Sequence, residues 1–375
     1  MGLPTIGRQE QRVTDPLFQP YTMGSLELAN RLVMAPMTRS RAIDNVPNDL
    51  MAAYYRQRAG AGLIVTEGTS PSPHGLGYPR IPGAYSEAQT AGWKKVADAV
   101  HERNAKIFLQ LMHTGRVAHP ANLPEGAEVL APSAVALETT KMWVDAEGGE
   151  QPIPAPRAMT GDEVEAAIEE FVTTAKNAVA AGLDGVELHG ANGYLIEQFI
   201  HPHTNRRDDE WGGSVEKRIR FAVEVAQRTV EAIGADRVGI RLSPHGVFNE
   251  MPPYGETLET YVALTKELKA LGLVYLHVVD HSSMGTPPVP QSTKDALREA
   301  FGSTLILSGG YDAERARADL EAGRGELVAF GRPYLANPDL EERFRQGAAL
   351  EEPRSDLFYA PGPEGYTDYP TLAEK

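Results

Sequence analysis

The sequence predicts an α/β fold, a single (β/α)8 TIM barrel, on two observations. First, short apolar runs rich in β-branched residues alternate with amphipathic helical stretches along the 375 residues, which is typical of a parallel sheet covered by helices. Second, about eight such units occur, and eight units can close into one domain at this chain length. A doubly wound open sheet is the alternative, but no G-x-G-x-x-G motif opens its first helix. We therefore expect one domain over residues 1–375.

Each strand of the barrel corresponds to one apolar run. The predicted strands are Arg31–Ala35, Leu63–Thr66, Lys106–Leu111, Gly185–Leu188, Val238–Leu242, Val274–Val279, Thr304–Leu307 and Leu327–Phe330. The helices between them are predicted near Leu50–Ala59, Glu87–Glu102, Gly161–Ala181, Val215–Ile233, Leu258–Leu271, Lys294–Ala300 and Ala313–Glu321. Thr160 is a favourable N-cap for the third helix, and Gly182 suits its C-terminal cap.

Two segments interrupt this alternation. Leu17–Leu28 is predicted to form a small N-terminal hairpin that closes the bottom of the barrel before the first strand. Residues 120–156, after the third strand, are rich in proline, glycine and glutamate. Such a composition predicts a β-hairpin or loop insertion at this point.

Composition and charge narrow the class of protein. The formal net charge is −15 and the chain has no cysteine. An acidic surface repels phosphate backbones, which argues against a nucleic-acid partner, and without thiols there is no disulfide, thiolate metal site or cysteine nucleophile. Residues 1–15 lack the apolar core of a signal peptide, and no apolar run approaches the roughly 18 residues of a membrane span. We expect a cytoplasmic protein without membrane attachment, either a monomer or a homodimer.

The fourth predicted strand leads into a cluster of polar side chains at its carboxyl end, where barrel enzymes have their active sites. His189, Asn192 and Tyr194 combine a hydrogen-bond donor, a second polar group and a phenol. Such a set of side chains can bind an oxygen atom through hydrogen bonds and deliver a proton to a neighbouring atom. A metal site of His189 with His201 and His203 is the alternative, but no matched carboxylates accompany these histidines, and we expect no metal.

The ends of other strands predict a phosphorylated, ring-shaped cofactor. Gly309 and Gly310 follow the seventh strand, and Gly331 and Arg332 follow the eighth. Glycine turns in these two places, at the start of a short helix, form the usual phosphate site of a barrel. At other strand ends, Thr38, Gln110 and Arg241 provide a neutral donor, an amide and a cation. A flavin ring requires these groups, because its pyrimidine edge alternates donors and acceptors and its reduced form is anionic.

Together these residues carry a family resemblance. The sequence resembles the Old Yellow Enzyme family of flavin-dependent ene-reductases, which also act as NADPH dehydrogenases. The matching segments appear in the expected order and span nearly the whole chain: Ala35–Arg41, His189–Leu195, Asn205–Ser214, Arg241–Pro244, Phe330–Pro333 and Gly365–Pro370.

The resemblance implies non-covalent FMN in the barrel, with NADPH or NADH as hydride donor. It implies FMN contacts from Ala35, Pro36, Met37, Thr38, Gly68, Gln110, Arg241, Gly309, Gly310, Gly331 and Arg332. It implies substrate contacts from His189, Asn192, Tyr78, Met112, Phe248, Phe358 and Tyr359. It also implies that the C-terminal tail, residues 350–375, packs near the active site.

The resemblance further implies a ping-pong reaction on small-molecule alkenes activated by a carbonyl or nitro group. NAD(P)H would reduce the flavin and leave, and hydride would then pass to the β-carbon of the alkene. His189 and Asn192 would bind the activating oxygen, and Tyr194 would deliver a proton to the α-carbon.

Three positions depart from the family pattern. Met112 stands where close relatives usually carry tryptophan, which predicts a roomier pocket. Thr38 stands where another branch has cysteine, and Trp211 where tyrosine is common. Two other functions stay open at this point: a sugar-phosphate isomerase or aldolase, for which no suitably placed lysine is found, and a non-catalytic flavin-binding protein. Glu187, within the fourth strand, is predicted to be the structural partner of an arginine.

Overall fold

Eight parallel strands close into a barrel in this computed structural model, which describes residues 15–375. The strands are β1 (Leu32–Met34), β2 (Leu63–Val65), β3 (Lys106–Leu111), β4 (Gly185–Gly190), β5 (Val238–Leu242), β6 (Tyr275–Val279), β7 (Thr304–Ser308) and β8 (Leu327–Phe330). Each strand pairs with its neighbours in chain order, and β8 pairs with β1. The predicted (β/α)8 fold is therefore confirmed. Most of the N-terminal segment that lacks a signal-peptide pattern, residues 1–14, lies outside the described residues.

Helices follow the strands as predicted. They are α1 (Asp49–Gln57), α2 (Glu87–His101), α3 (Gly161–Ala180), α4 (Leu195–Ile200), α5 (Val215–Ile233), α6 (Thr257–Ala270), α7 (Gln291–Phe301), α8 (Ala313–Glu321), α9 (Arg332–Ala336) and α10 (Leu340–Gln346). Thr160 caps α3 as predicted, because its side chain accepts a hydrogen bond from the Glu163 backbone N–H. None of these helices in residues 15–375 is long and apolar enough to cross a membrane.

Several boundaries differ from the prediction by one to three residues, and two of them are described here. Helix α7 begins at Gln291, directly after Pro290, although its first turn is polar and shows no apolar period. Strand β4 extends to Gly190, two residues beyond the prediction, because His189 and Gly190 pair in register with Arg241 and Leu242 of β5. His189 is therefore part of the barrel wall rather than of the loop that follows it.

The two predicted interruptions are also confirmed. An antiparallel hairpin of Tyr21–Met23 and Leu26–Leu28 precedes β1, and its buried Met23 and Leu28 pack in the same cluster as inward-facing barrel residues such as Phe108. The insertion after β3 contains a second antiparallel hairpin, Lys141–Val144 with Gly149–Pro152. Residues of this insertion, including Met142, belong to the same buried apolar cluster as Tyr194.

Buried arginines hold the C-terminal tail across the carboxyl end of the barrel. The Arg39 Nη2 donates to the Gly365 carbonyl oxygen at 2.6 Å, and the Arg41 Nη1 donates to the Phe358 carbonyl oxygen at 2.6 Å. Both side chains are almost completely buried. A buried guanidinium requires acceptors, and main-chain carbonyls of the tail supply them. This anchoring brings Phe358 and Tyr359 to the rim of the cavity described next.

Candidate active site

A cavity of about 330 Å³ opens at the carboxyl ends of the strands. Most of the residues proposed from the sequence line it, and they come from the carboxyl ends of strands, the segments that follow strands and the C-terminal tail. Those residues are Ala35, Pro36, Met37, Thr38, Gln110, Met112, His189, Asn192, Tyr194, Arg241, Phe248, Gly309, Gly310, Gly331, Arg332, Phe358 and Tyr359.

Gly68 and Tyr78 lie outside this lining. A Cβ atom on Gly68 would be 2.5 Å from the Met112 sulfur, so Gly68 lets the Met112 side chain pack against the backbone after β2. The Tyr78 hydroxyl lies 2.9 Å from the Tyr194 hydroxyl. Tyr78 therefore stands behind Tyr194, where it contacts the phenol rather than the open space of the cavity.

A buried carboxylate lies at the base of the site. Glu187 is fully buried, and its two oxygens accept hydrogen bonds from Gln110 Nε2 at 2.8 Å, Tyr275 Oη at 3.1 Å and His277 Nδ1 at 2.8 Å. Glu187 was predicted to be the structural partner of an arginine; within the described residues its hydrogen bonds go instead to these three side chains, and Arg241 acts on it only through its charge. Parallel register explains the difference, because it aligns Glu187 with Gln110 on β3 and brings β6 side chains toward it across Gly239.

Arg241 supplies a buried cation to the cavity wall. Its side chain is 7% exposed, and its Nε atom has no hydrogen-bond partner within residues 15–375. Burial lowers the pKa of Arg241, but a guanidinium stays charged at neutral pH. A buried charge is costly unless it meets an anion or strong acceptors. Arg241 therefore fits a ligand that carries negative charge, which is what reduced flavin presents.

The turns after β7 and β8 form a glycine-lined cradle at the same cavity. Gly309 has φ +133° and Gly310 has φ +62°, conformations that other residues rarely adopt. A Cβ atom on Gly309 would be 2.2 Å from the Asp280 carbonyl oxygen. Gly331 immediately precedes α9, and the exposed Arg332 is the first residue of that helix. Backbone N–H groups, a helix start and a cation together suit a phosphate group.

Gly309→Ala should weaken FMN binding and destabilise the fold. The added methyl group would clash with the Asp280 backbone, and the backbone of an L-amino acid is strained at this φ. Such strain costs about 1–3 kcal/mol before the clash is added. Thermal unfolding of the apoprotein and fluorescence titration with FMN measure the two effects. Gly213→Ala is the control, because Gly213 has φ +94° but open space around its Cβ position. A Gly309→Ala variant that binds FMN as tightly as this control would contradict the cradle.

His189 and Asn192 present polar atoms that are not satisfied within the protein. His189 Nδ1 and Asn192 Oδ1 are buried and have no partner in the described part of the chain. Burial, together with the Arg241 charge, holds the pKa of His189 well below 6.5, so the ring is neutral at pH 7. Asn192 has a left-handed backbone, φ +61°. Its N–H donates to Ser243 Oγ at 2.9 Å, and that hydroxyl donates to Glu197 at 2.7 Å.

Tyr194 lies edge-on to His189, with 5.0 Å between the ring centroids. Burial raises its pKa well above 10 and raises that of Tyr78 to about 12. Both phenols are therefore protonated at neutral pH. One donates to the other across 2.9 Å, so Tyr194 can point its own proton into the cavity only when Tyr78 is the donor.

Other lining residues received no role from the sequence. Asp280 and His281 follow β6, and the rule that sites form at strand ends contains the signal that could have found them. Ser283, Met284, Tyr311, Pro333 and Leu335 lie in loops or in α9, and no motif distinguishes them. Their place depends on how the loop after β6 folds against the glycine cradle.

Comparison with known proteins identifies the family. The pattern of the NADH:flavin oxidoreductase / NADH oxidase family matches residues 16–351. The 12-oxophytodienoate reductase 7 of Oryza sativa subsp. japonica is 39% identical, covering 100% of this chain and 99% of its own. A probable flavin mononucleotide-dependent alkene reductase of Leishmania infantum is 39% identical, covering 96% and 98%. The structure of morphinone reductase in complex with tetrahydroNAD has a TM-score of 0.91 at 45% identity, covering 95% and 97%.

The sequence, the fold and the cavity therefore indicate the same class of protein, a flavin-dependent oxidoreductase. The family is one of oxidoreductases, which sets aside the sugar-phosphate isomerase or aldolase. The unpaired Arg241 cation and the glycine cradle fit the ring and the phosphate of the family's cofactor. The chain belongs to the NADH:flavin oxidoreductase / NADH oxidase family, that of Old Yellow Enzyme, and is an oxidoreductase that uses FMN with NAD(P)H as hydride donor.

Proposed function

We propose that the protein is an ene-reductase, which reduces alkenes activated by a carbonyl or nitro group in a ping-pong reaction. The observation that carries this proposal is the juxtaposition of His189, whose buried Nδ1 has no partner within residues 15–375, with the Asn192 amide and the phenol of Tyr194 in one cavity lining. FMN, when bound, supplies hydride transfer from NAD(P)H to the β-carbon of the alkene. Relatives named as an alkene reductase and a 12-oxophytodienoate reductase support the same chemistry.

His189 and Asn192 bind the activating oxygen of the substrate. A neutral imidazole and a carboxamide each have an N–H donor, and neither adds a charge that would repel the nicotinamide. As hydride arrives at the β-carbon, negative charge develops on this oxygen. Donors already fixed by the protein stabilise that charge more than they stabilise the neutral substrate. The left-handed turn at Asn192, anchored through Ser243, fixes the amide in place.

Tyr194 delivers the proton to the α-carbon. Its raised pKa keeps the phenol protonated until the enolate forms, and an enolate carbon is basic enough to take that proton. In the orientation that this step requires, Tyr78 donates to the Tyr194 oxygen across the 2.9 Å between the two hydroxyls, either of which can be the donor. This bond stabilises the phenolate that remains after transfer, and it directs the Tyr194 proton toward the cavity.

The remaining walls favour an uncharged substrate of modest size. Phe248, Phe358 and Tyr359 line the cavity with aromatic surface, and the pliable side chain of Met112 lines it opposite Gly68. Such an apolar wall, with polar groups only near His189 and Asn192, suits a cyclic or acyclic enone whose oxygen binds to these two residues. Nitroalkenes and maleimides satisfy the same requirement.

Anaerobic stopped-flow spectroscopy tests the proposal. Holoenzyme is first reduced with NADPH or NADH, which bleaches the flavin absorbance, and is then mixed with 2-cyclohexen-1-one, a maleimide or a nitroalkene. We expect rapid recovery of the oxidised flavin spectrum and stoichiometric formation of the saturated product. If NAD(P)H bleaches the flavin but no activated alkene restores its colour, the ene-reductase assignment fails and a flavin-binding protein without this activity becomes the better account.

A further inference from the structure

The buried carboxylate under the cavity has no role in the chemistry proposed above. Glu187 does not line the cavity; one of its three hydrogen bonds comes from Gln110 on the neighbouring strand β3, and two come from Tyr275 and His277 on β6, beyond β5. Burial alone would raise the pKa of Glu187, but the His277 ring and the Arg241 charge outweigh burial and lower it. The carboxyl is therefore ionised inside the barrel, where an anion is costly without compensation.

Glu187 determines the orientation of the Gln110 side chain. An ionised carboxylate can only accept hydrogen bonds, so it must face the amide nitrogen of Gln110, as the 2.8 Å contact with Nε2 shows. The amide oxygen and the second N–H hydrogen are then left for the cavity that Gln110 lines. The opposite rotamer would bring the amide oxygen against the carboxylate and be repelled. Glu187 thus fixes which donor and which acceptor face the cofactor.

Glu187 also places a negative charge beside the Arg241 cation. Arg241 pairs in register with His189 on one side and with His277 on the other, and His277 donates to Glu187. Inside a protein the field of such a pair is screened much less than in water. Arg241 favours an anionic reduced flavin, and the anion of Glu187 opposes part of that effect.

We propose that Glu187 is a positioning residue for FMN, which fixes the Gln110 amide and moderates the Arg241 charge, so that it sets the redox potential of the bound flavin. This inference rests on FMN binding and is independent of ene-reduction. It predicts opposite effects from removing the charge and from removing one of the donors that partly neutralise it.

The first test is Glu187→Gln in the holoenzyme. Without the anion, the reduced flavin should gain at least tenfold in affinity relative to the oxidised flavin, which raises the two-electron potential by about 30 mV. The oxidised flavin should also bind about tenfold more weakly, because a neutral amide accepts either rotamer of Gln110. Spectroelectrochemistry measures the potential, and fluorescence titration of the apoprotein measures FMN affinity. A folded variant with an unchanged or lower potential overturns the proposal.

Two further variants keep the proposal testable, one if Glu187→Gln does not fold and one as a control for other buried carboxyls. Tyr275→Phe removes only one donor from Glu187, so the carboxylate field strengthens and the potential should fall; a rise, or no change, overturns the proposal even if Glu187→Gln does not fold. Glu197→Gln is the matched control, and the potentials are measured well above pH 7, because burial raises the pKa of Glu197 to about 7 and both carboxyls must be ionised. Glu197 is an equally buried carboxyl with three donors, Gly193, Ser243 and Tyr261, but it does not contact Gln110. Its variant should leave the potential unchanged, and an equal shift there would mean that any buried carboxyl has this effect.

Discussion

Tyr194→Phe should slow reoxidation of the reduced flavin by an activated alkene by about 10²–10⁴-fold, the usual contribution of a general acid. Reduction of the same flavin by NADPH should stay close to the wild-type rate, because that step needs no proton from the phenol. Phenylalanine keeps the edge-on packing against His189 and the contacts of the surrounding apolar cluster. Anaerobic stopped-flow measurement of each half-reaction separates the two effects.

Tyr78→Phe is the control for this experiment. It removes the hydroxyl that lies 2.9 Å from the Tyr194 oxygen but leaves Tyr194 with its own proton. We expect a loss of about tenfold or less in the alkene half-reaction, the size of one hydrogen bond. Equal slowing of both half-reactions by Tyr194→Phe would contradict its role as proton donor. A larger loss from Tyr78→Phe than from Tyr194→Phe would assign the proton to Tyr78.

The parts of the site that the sequence predicts are those fixed by strand ends. In a parallel barrel the last residues of every strand lie at the same rim. This rule alone predicts one site that contains His189, Gln110, Arg241 and the glycine pairs, even when the register between neighbouring strands is unknown. Alternation of apolar runs and helices was enough to identify the strands. The same reasoning could not tell that β4 continues through His189, because pairing with β5 rather than residue type decides where the strand ends.

The features of the site that the sequence did not predict depend on contacts between residues that are far apart in the chain. Glu187 accepts hydrogen bonds from Tyr275 and His277, which are 88 and 90 positions away in the chain. The register of the strands decides that these side chains, rather than an arginine, are its hydrogen-bond partners. The family resemblance implied that Tyr78 contacts the substrate. Its actual contact with Tyr194 follows from the path of its loop, which no local pattern specifies. The arginines that hold the tail reach carbonyl groups more than 300 positions away, and main-chain acceptors carry no sequence signal.

Arg241→Met should weaken the binding of reduced FMN by about 10²–10³-fold while changing the unfolding temperature of the apoprotein little. Losing one partner of a buried charge pair costs about 2–5 kcal/mol, and each 1.4 kcal/mol is tenfold in affinity. In the apoprotein, however, the guanidinium is a buried cation with an unsatisfied Nε, and methionine fills a similar space without a charge. Fluorescence titration gives the affinity for oxidised FMN, the redox potential of the bound flavin converts it into the affinity for reduced FMN, and thermal unfolding gives the stability. A parallel loss of affinity and stability would mean that Arg241 serves the fold rather than the cofactor.

The double variant Arg241→Met, Glu187→Gln tests whether the two charges act on the flavin together. In the single variant Arg241→Met, the Glu187 anion remains near a ring that becomes anionic on reduction, so part of the lost affinity for reduced FMN comes from a repulsion that Arg241 had offset. With Glu187 also neutral, that repulsion is gone, and the loss of affinity for reduced FMN caused by Arg241→Met should be about tenfold smaller than in the wild-type background. Groups in one network show such coupling, whereas independent sites add. An equal loss in both backgrounds would mean that Arg241 contacts the cofactor directly and that Glu187 does not moderate its charge.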